Sequence, residues 1–127
     1  MPYAINHIHL KSNDPETAAA WWVKAFNFTI VRDSEQAGGV RFIACDSENG
    51  VRVNISNAGT ELLRDGDVGV REGLEYFGFD SDNLEQDIER LSLLGARLVD
   101  GPRMAATARV CFLEVPGRVR IELVERV

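Results

Sequence analysis

The chain carries one internal repeat, and this feature constrains its fold more than any other. The segments RVNIS at 52–56 and RIELV at 120–124 lie 68 residues apart. The segments HIHLKSND at 7–14 and YFGFDSDN at 76–83 lie 69 residues apart, so one insertion or deletion separates the two spacings. A repeat of this length is the signature of a duplicated structural unit. We therefore expect two copies of one supersecondary motif.

Hydrophobic periodicity predicts the order strand, helix, strand, strand, strand within each copy. In repeat 2 the helix begins after Asn83, a good N-cap, and ends at Gly95, which adopts left-handed backbone readily. In repeat 1 the helix begins after Asp14 and ends at Asn27, the next-best left-handed residue. The apolar faces predicted for the two helices are Ala19, Trp22, Val23 and Phe26, and Leu84, Ile88, Leu91 and Leu94.

The length of 127 residues fits one domain better than two. A single repeat of roughly 55 residues buries too little apolar surface to be stable alone. We predict one domain over 1–127, with repeat 1 at about 1–56, a linker at 57–72 and repeat 2 at about 73–127. The predicted fold class is α+β, built as two tandem βαβββ modules.

Side chains alternate across a strand, so the first and last strands of each repeat have two distinct faces. One face is apolar, and the predicted helices cover it. The other face is polar at matching places in both repeats, where it carries His7, His9, Arg52, Asn54, Tyr76, Arg120 and Glu122. Two interpretations stay open. The polar face meets water, as in many antiparallel sheets, or it lines a cavity in which paired polar groups form a site.

The composition argues against several classes of partner. A net charge of −6 argues against a nucleic-acid surface, which needs concentrated Lys and Arg. No apolar run approaches the roughly 20 residues of a membrane-spanning helix, and no signal peptide is evident, so we expect a cytoplasmic location. Cys45 and Cys111 lie far apart in apolar runs, which predicts reduced thiols that pack in the core.

The tandem βαβββ order, the segment NHIHLKSNDPETAAAWWVKAFNFTIV at 6–31 and the closing PGRVRIELVE at 116–125 resemble the vicinal oxygen chelate superfamily. This group includes glyoxalase I, bleomycin-resistance proteins and extradiol ring-cleaving dioxygenases. The resemblance implies a curved mixed sheet that forms a cup, with the helices on its outer face. It also implies a homodimer that binds a small molecule. Because one scaffold of this kind hosts several reactions, the resemblance identifies the fold rather than the reaction.

In enzymes of this family, four strand positions hold a divalent metal ion, one on the first and one on the last strand of each repeat. By resemblance these positions are His7, Asn54, Tyr76 and Glu122. His7 and Glu122 match the pattern, whereas Asn54 replaces a Glu or Gln and Tyr76 replaces a His. An amide oxygen is neutral and a phenol is a poor ligand near its normal pKa, so we expect weaker metal binding.

The HIH stretch offers one further ligand. His9 lies on the same strand face as His7, and with Glu122 the two imidazoles make the two-histidine, one-carboxylate set of non-haem iron sites. The predicted metal ligands are therefore His7, His9 and Glu122, and the ion is Zn, Ni, Mn or Fe(II), or none binds. The alternative for His9 is a solvated histidine on the same face.

The remaining polar positions predict substrate contacts. Arg52 and Arg120 occupy equivalent places, and paired guanidinium groups suit a carboxylate or an enolate. The alternative for both is weak surface ion pairs with the acids of the chain. Together with Asn54 they form the predicted substrate-binding set. Glu122 is the predicted base, and Tyr76 is the predicted hydrogen-bond donor to a developing oxyanion.

Two functions of different classes follow from these residues. The first is a metal-assisted enzyme, either a glyoxalase-like lyase or isomerase or a ring-cleavage dioxygenase, that acts on a small oxygen-rich substrate such as a carboxylate. The second is a metal-free protein that sequesters a small molecule, as bleomycin-resistance proteins do. An acidic chain suits a cationic ligand. Metal analysis of the purified protein distinguishes the two functions.

Overall fold

A computed structural model describes residues 2–126, and the chain divides into two compact units, Met1–Arg64 and Asp65–Val127. The boundary falls inside the linker predicted at 57–72. Unit 1 contains repeat 1 and unit 2 contains repeat 2, and each unit has one four-stranded mixed sheet and one α-helix. That the two units act as a single domain stays a prediction, and so does the cup.

Unit 1 folds in the predicted βαβββ order. Its elements are β1 (His7–Lys11), α1 (Pro15–Phe26), β2 (Thr29–Gln36), β3 (Val40–Asp46) and β4 (Arg52–Ser56), with a short 3-10 turn at Ala37–Gly39. The strand order is β1-β4-β3-β2, and β1 is parallel to β4 while the other neighbours are antiparallel. The sheet therefore places the first and last strands of the repeat side by side.

Unit 2 repeats this arrangement. Its elements are β5 (Phe77–Asp80), α2 (Leu84–Leu93), β6 (Arg97–Ala105), β7 (Ala108–Val115) and β8 (Val119–Arg126). The strand order is β5-β8-β7-β6, and β5 is parallel to β8. The predicted α+β class and the two tandem βαβββ modules are confirmed.

The predicted helix caps are also confirmed. Asp14 accepts a hydrogen bond from the backbone N–H of Thr17 at 3.1 Å, and α1 ends at Asn27 in the left-handed region with a φ of 58°. Asn83 caps α2 in the same way, and Gly95 follows that helix with a φ of 98°. Neither helix of the described residues 2–126 is long and apolar enough to cross a membrane.

The buried face of α1 differs from the predicted one chiefly at Val23, and Phe26 is only partly buried. Ala19 and Trp22 are buried as expected, but Val23 is 37% exposed and Ala25 is buried in its place. The buried face is therefore turned toward the Ala25 side of Trp22, and Val23 lies at its opposite edge. In α2, Leu84 and Leu91 are buried as predicted.

Each unit has its own apolar core between its helix and one face of its sheet. In unit 1, α1 packs on β3 and β4, and Trp22, Val53 and Ile55 are buried. The Trp22 ring stacks on Phe28 with centroids 5.3 Å apart. In unit 2 the corresponding residues are aliphatic: Leu84, Leu91, Leu113, Ile121 and Leu123. Each such side chain contributes about 1.5–3 kcal/mol when buried, so the apolar strand faces fix the orientation of the polar ones.

Both cysteines are free thiols buried in these cores, as predicted. Burial raises the pKa of Cys45 and raises the pKa of Cys111 to about 11. The thiols therefore act as small apolar packing groups.

Equivalent arginines tie the two helices to their sheets. Arg41 on β3 donates to Glu16 in the first turn of α1 at 3.2 Å. Arg109 on β7 likewise contacts Glu85 in the first turn of α2, and it donates to Glu125 at 2.9 Å. These bonds keep the carboxylates at the positive end of each helix, where they are favourable. The duplication therefore extends to the ion pair between each helix and its sheet.

Candidate functional site

In unit 1 the polar face lies on β1 and β4, which run side by side. The parallel register sets six side chains on this face in three pairs: His7 with Arg52, His9 with Asn54, and Lys11 with Ser56. The alternate residues Val53 and Ile55 project to the opposite face, where α1 buries them. The structure thus brings together all four predicted site residues of repeat 1.

His7 is an exposed imidazole with one nitrogen already engaged. Its Nδ1 lies 2.6 Å from Oδ1 of Asn6, an oxygen that only accepts, so Nδ1 carries the hydrogen and donates. The lone pair of Nε2 then remains for another partner. This nitrogen is the atom of His7 that is able to bind a metal ion or accept a proton.

His9 belongs to a short polar chain with Ser56 and Lys11. Lys11 Nζ donates to Ser56 Oγ at 2.9 Å, and Ser56 Oγ lies 2.7 Å from His9 Nε2. Burial, followed by the charges of Lys11 and His7, lowers the pKa of His9, which favours the neutral ring. The predicted metal role of His9 stays a prediction, and it requires Nε2 to give up its bond with Ser56.

Asn54 and Arg52 differ in how far their polar atoms are satisfied. Arg52 Nε donates to Asp46 Oδ1 at 2.7 Å, across the β3–β4 pair. Asn54 Oδ1 is buried and accepts no hydrogen bond from any residue in 2–126. A buried acceptor without a partner costs about 1–3 kcal/mol, so this oxygen is available to a bound ligand. The predicted substrate contacts of both residues stay predictions.

In unit 2 the polar face lies on β5 and β8, with β7 beside them. Gly78 pairs with Glu122, and Glu122 pairs in turn with Phe112 of β7. Tyr76 and Arg120 share this face, since each lies two residues before one member of the first pair. The structure thus brings together the three predicted site residues of repeat 2.

Glu122 is a partly buried carboxylate without a direct partner. It forms no hydrogen bond or ion pair with the rest of the described chain, 2–126. Burial raises its pKa, and the positive charge of Arg103 opposes this shift. The neighbouring Gly78 leaves space beside it, because a Cβ there would lie 3.4 Å from Glu122 Oε1. Glu122 therefore presents a basic, accessible oxygen.

Phe112 forms the centre of a cluster on the same face. The Tyr76 ring contacts it edge to face with centroids 4.9 Å apart. The guanidinium carbons of Arg120 and Arg103 lie 4.7 and 5.8 Å from the centre of its ring. Arg120 Nη1 donates to the carbonyl of Val68 at 3.2 Å, while its Nε is buried and donates to nothing in the described residues. The Arg120 guanidinium is therefore held by an aromatic ring rather than by a carboxylate, whereas Arg103 also pairs with Asp100 at 3.4 Å.

Sequence reasoning missed two residues of this cluster, Phe112 and Arg103. The sequence did contain a signal for Phe112. The repeat places it on the strand next to Glu122, at the position where repeat 1 has Ala44, 68 residues earlier. Arg103 had none. Its strand β6 shifts register twice against β7, so simple alternation does not assign its face.

The donor types of the predicted metal positions fit a divalent ion. Within residues 2–126, no three His, Cys, Asp or Glu side chains are grouped so that they hold a metal ion. Asn54 lies outside that set of residue types, and its orphaned Oδ1 is a neutral oxygen donor. The Nε2 of His7 in unit 1 and the carboxylate of Glu122 in unit 2 are likewise donor types that Mn(II), Zn and Fe(II) accept. That these residues bind one ion together stays a prediction.

Comparison with solved structures shows the same fold at low sequence identity. A glyoxalase family protein from Bacillus cereus matches with a TM-score of 0.83 and 14% identity over 100% of this chain and 96% of its own. The fosfomycin resistance protein FosX from Listeria monocytogenes, complexed with Mn(II) and a sulfate ion, matches with a TM-score of 0.72 and 16% identity over 100% and 95%. A mutant of glyoxalase I from Zea mays matches with a TM-score of 0.75 and 13% identity over 96% of this chain and 45% of its own.

Sequence comparison identifies the family. No curated protein matches the chain at a significant level. The sequence profile of one family matches residues 4–123, a range that contains every predicted site residue. The chain therefore belongs to the Glyoxalase/Bleomycin resistance protein/Dioxygenase superfamily.

Proposed function

We propose that the protein is a metal-assisted enzyme that acts on a small oxygen-rich substrate. The reaction is of the glyoxalase-like lyase or isomerase type, with ring-cleavage dioxygenation as the other chemistry of the family. The observation that supports an enzyme is Glu122, whose partly buried carboxylate has a raised pKa and no ion pair in the described chain. A charged group held without a partner destabilises the fold, and such groups are concentrated at catalytic sites.

His7, Asn54 and Glu122 are the proposed metal-binding residues. When bound, a divalent ion held by these residues would supply a Lewis acid for a carbonyl oxygen of the substrate. Mn(II), Zn, Ni and Fe(II) accept these donor types, and the Mn(II) in the FosX structure supports a divalent ion of this class. Tyr76, which stands where the family has a histidine, leaves this set smaller than usual.

Glu122 is also the proposed base, in a state in which it is only loosely bound to the metal ion. A carboxylate with a raised pKa removes a proton from carbon more readily than an ordinary one, and it returns the proton to the neighbouring atom in an isomerisation. Tyr76 donates its hydroxyl hydrogen to the oxygen on which negative charge develops. The edge contact with Phe112 at 4.9 Å fixes the direction of the Tyr76 ring.

Manganese binding tests this proposal directly. Purified protein, treated with EDTA and dialysed, is titrated with Mn(II), and free Mn(II) is measured by electron paramagnetic resonance. We expect one Mn(II) per chain. His7→Ala removes one donor, and Glu122→Gln replaces a charged oxygen donor with a neutral one. Each is expected to weaken binding by at least about tenfold. Asn54→Ala removes a neutral donor and has a smaller effect.

Glu114→Gln is the matched control for Glu122→Gln. Glu114 lies on the neighbouring strand β7 and is already bonded to Arg97 at 2.7 Å, so its loss leaves Mn(II) affinity unchanged. His9→Ala decides whether His9 is a ligand. If the wild-type protein binds no divalent ion at all, the metal-assisted enzyme is wrong.

The alternative function is metal-free binding and sequestration of a small molecule. It is supported by the replacement of two family ligands by Asn54 and Tyr76 and by the apolar patch of Ala108, Val110 and Phe112 on the polar face of unit 2. A net charge of −6 suits a cationic ligand. The absence of Mn(II) binding, together with saturable binding of a cationic aromatic dye, favours this function.

We also propose that the protein forms a homodimer, as the family resemblance implies. Apolar side chains near the amino terminus and in the linker support an interface, since Tyr3, Ile5 and Leu62 are 102%, 95% and 87% exposed. Light scattering coupled to size-exclusion chromatography measures the mass. A mass of 14.1 kDa at micromolar concentration contradicts the proposal.

A further inference from the structure

Two arginines that the repeat makes equivalent, Arg52 and Arg120, have different partners. Arg52 lies opposite Asp46 across the β3–β4 pair and donates to it at 2.7 Å. Arg120 lies opposite Glu114 across the β7–β8 pair, in the same register. Glu114, however, accepts from Arg97 at 2.7 Å and not from Arg120. The charge of Arg52 is therefore neutralised by its neighbour, whereas that of Arg120 is not.

Strand β6, which lies beyond β7 as seen from Arg120, explains why Arg120 does not pair with Glu114. Arg97 on β6 pairs with Glu114 on β7, and at the 68-residue spacing repeat 1 has Thr29 in place of Arg97. Thr29 cannot form an ion pair with Asp46, so Asp46 stays with Arg52. In unit 2 the competing guanidinium of Arg97 satisfies the carboxylate first.

Phe112 takes the place that the acid has lost. The Arg120 guanidinium lies over its ring at 4.7 Å, where repeat 1 has only the methyl group of Ala44. Stacking on an aromatic face leaves the N–H edge of a guanidinium available, which is the edge that binds an oxyanion in a bidentate manner. The Arg120 Nε is buried and donates to nothing in 2–126. A buried charged donor of this kind is strongly favoured to bind an anion.

Arg103 adds a second positive charge at the same ring. Its guanidinium carbon lies 5.8 Å from the Phe112 ring centre, and its only described ion pair is a long one of 3.4 Å to Asp100. Both side chains of that pair are about half exposed, so water screens the interaction. Arg103 is therefore able to turn toward an anion on the Phe112 ring.

We infer that Arg103, Arg120 and Phe112 form an oxyanion subsite in unit 2, which binds a carboxylate or phosphate group of the substrate and in which Arg52 takes no part. The inference rests on the proposed function, because it takes the bound anion to be part of the substrate of that enzyme. It names the class as a small anion, and it adds Arg103 as a specificity-determining residue. Arg120 and Glu122 project from the same face two residues apart, so an anion on Arg120 brings the attached carbon toward the proposed base.

Arginine Nε–Hε resonances in 15N-labelled protein test the subsite. Sodium acetate and sodium phosphate are titrated separately at constant ionic strength, with EDTA present, so the result does not depend on metal binding or turnover. We expect the Arg120 Nε–Hε resonance to move saturably with at least one anion. The anion that binds more tightly, acetate or phosphate, indicates whether the substrate carries a carboxylate or a phosphate group. Arg120→Gln, followed at the Arg103 Nε–Hε resonance, is expected to weaken binding by at least about tenfold. Arg103→Gln, followed at the Arg120 resonance, is expected to weaken it by several-fold.

Arg52→Gln is the matched control at the equivalent position, and Arg126→Gln removes the same charge from β8 at an exposed residue 3.7 Å from Asp80. Both are expected to bind the anions as the wild type does. Equal weakening in Arg52→Gln overturns the inference, and so does an Arg120 resonance in the wild type that neither anion moves. The wild-type titration decides the matter even if Arg120→Gln does not fold.

Discussion

The polar faces of unit 1 and unit 2 have the same backbone geometry and different chemistry. Strand register is equivalent in the two, since Ala44 pairs with Asn54 as Phe112 pairs with Glu122. Unit 1 has small or neutral side chains at these places, and its arginine is paired with an acid. Unit 2 has an aromatic ring, an unpaired carboxylate and an arginine with a free edge. Charge that is compensated in one copy is uncompensated in the other.

This difference shows that the two copies of a duplicated fold keep the residues that pack the core and differ in the residues of the polar face. The apolar faces and the ion pairs between helix and sheet are alike in both copies, because both must bury one helix on one sheet. The polar faces are not needed for that packing, so their side chains are free to diverge. A single exchange far from the site, Thr29 in one copy and Arg97 in the other, changes the partner of an arginine two strands away.

The largest effect is expected when Phe112 is made like its counterpart. Phe112→Ala installs the residue that repeat 1 has at this place and removes a 6% exposed aromatic side chain. We expect the free energy of unfolding to fall by about 3 kcal/mol, measured by urea denaturation followed by fluorescence. Anion binding to Arg120 is expected to disappear as well.

Phe112→Leu separates the two effects. It keeps most of the apolar volume but removes the aromatic face, so it is expected to cost about 1 kcal/mol of stability and still to lose most of the anion affinity. Full anion affinity in this variant would show that stacking does not hold Arg120.

Two glutamates of unit 2 are expected to respond in opposite directions. Glu122→Gln removes an unpaired, partly buried charge and is expected to stabilise the metal-free protein at pH 7 by a few tenths to about 1 kcal/mol. Glu114→Gln removes the partner of Arg97 and is expected to destabilise it by about 0.5 kcal/mol. Urea denaturation in EDTA measures both.

The gain in Glu122→Gln depends on pH with a defined sign. The pKa of Glu122 is raised in the folded protein, so its protonated form favours folding and ionisation at higher pH opposes it. The advantage of the glutamine is therefore absent below about pH 4, where glutamate is neutral in both states, and it grows as pH rises through the folded-state pKa. A gain that is largest in acid would contradict the assigned cause.

The smallest effect is expected from Arg97→Ala. The change releases Glu114, which then competes with added anion for Arg120. We expect about twofold weaker acetate or phosphate binding in the resonance titration, as the loss of an exposed ion pair allows. Arg97→Ala combined with Glu114→Gln is expected to restore the wild-type affinity. Weakening that persists in the double variant would exclude competition by Glu114.

Most of the fold could be predicted from local sequence patterns. Asp14 and Asn83 are found at the helix starts, and Asn27 and Gly95 at the ends, because caps depend on a few adjacent residues. Strand faces follow from alternation. The misplaced residue was Val23. Val23 and Ala25 lie two positions apart, at opposite edges of the buried face of α1, and the way the helix rests on its sheet decides which edge is covered.

The site was less predictable for a physical reason. Alternation identifies which face Arg52 and Arg120 share, but not which acid each one contacts. That choice depends on a third strand, and β6 shifts register twice, so the Arg97–Glu114 contact is not readable from spacing. The Ser56 bond to His9 and the orphaned oxygen of Asn54 likewise depend on side-chain directions within one face.

The two core thiols have a consequence for the chemical durability of the protein. Only a thiolate attacks electrophiles or peroxides at a useful rate. With a pKa of about 11 for Cys111, roughly one molecule in ten thousand carries that thiolate at pH 7. Alkylating reagents and oxidants therefore leave these sulfur atoms unchanged while the chain stays folded, and labelling with iodoacetamide reports unfolding rather than surface chemistry.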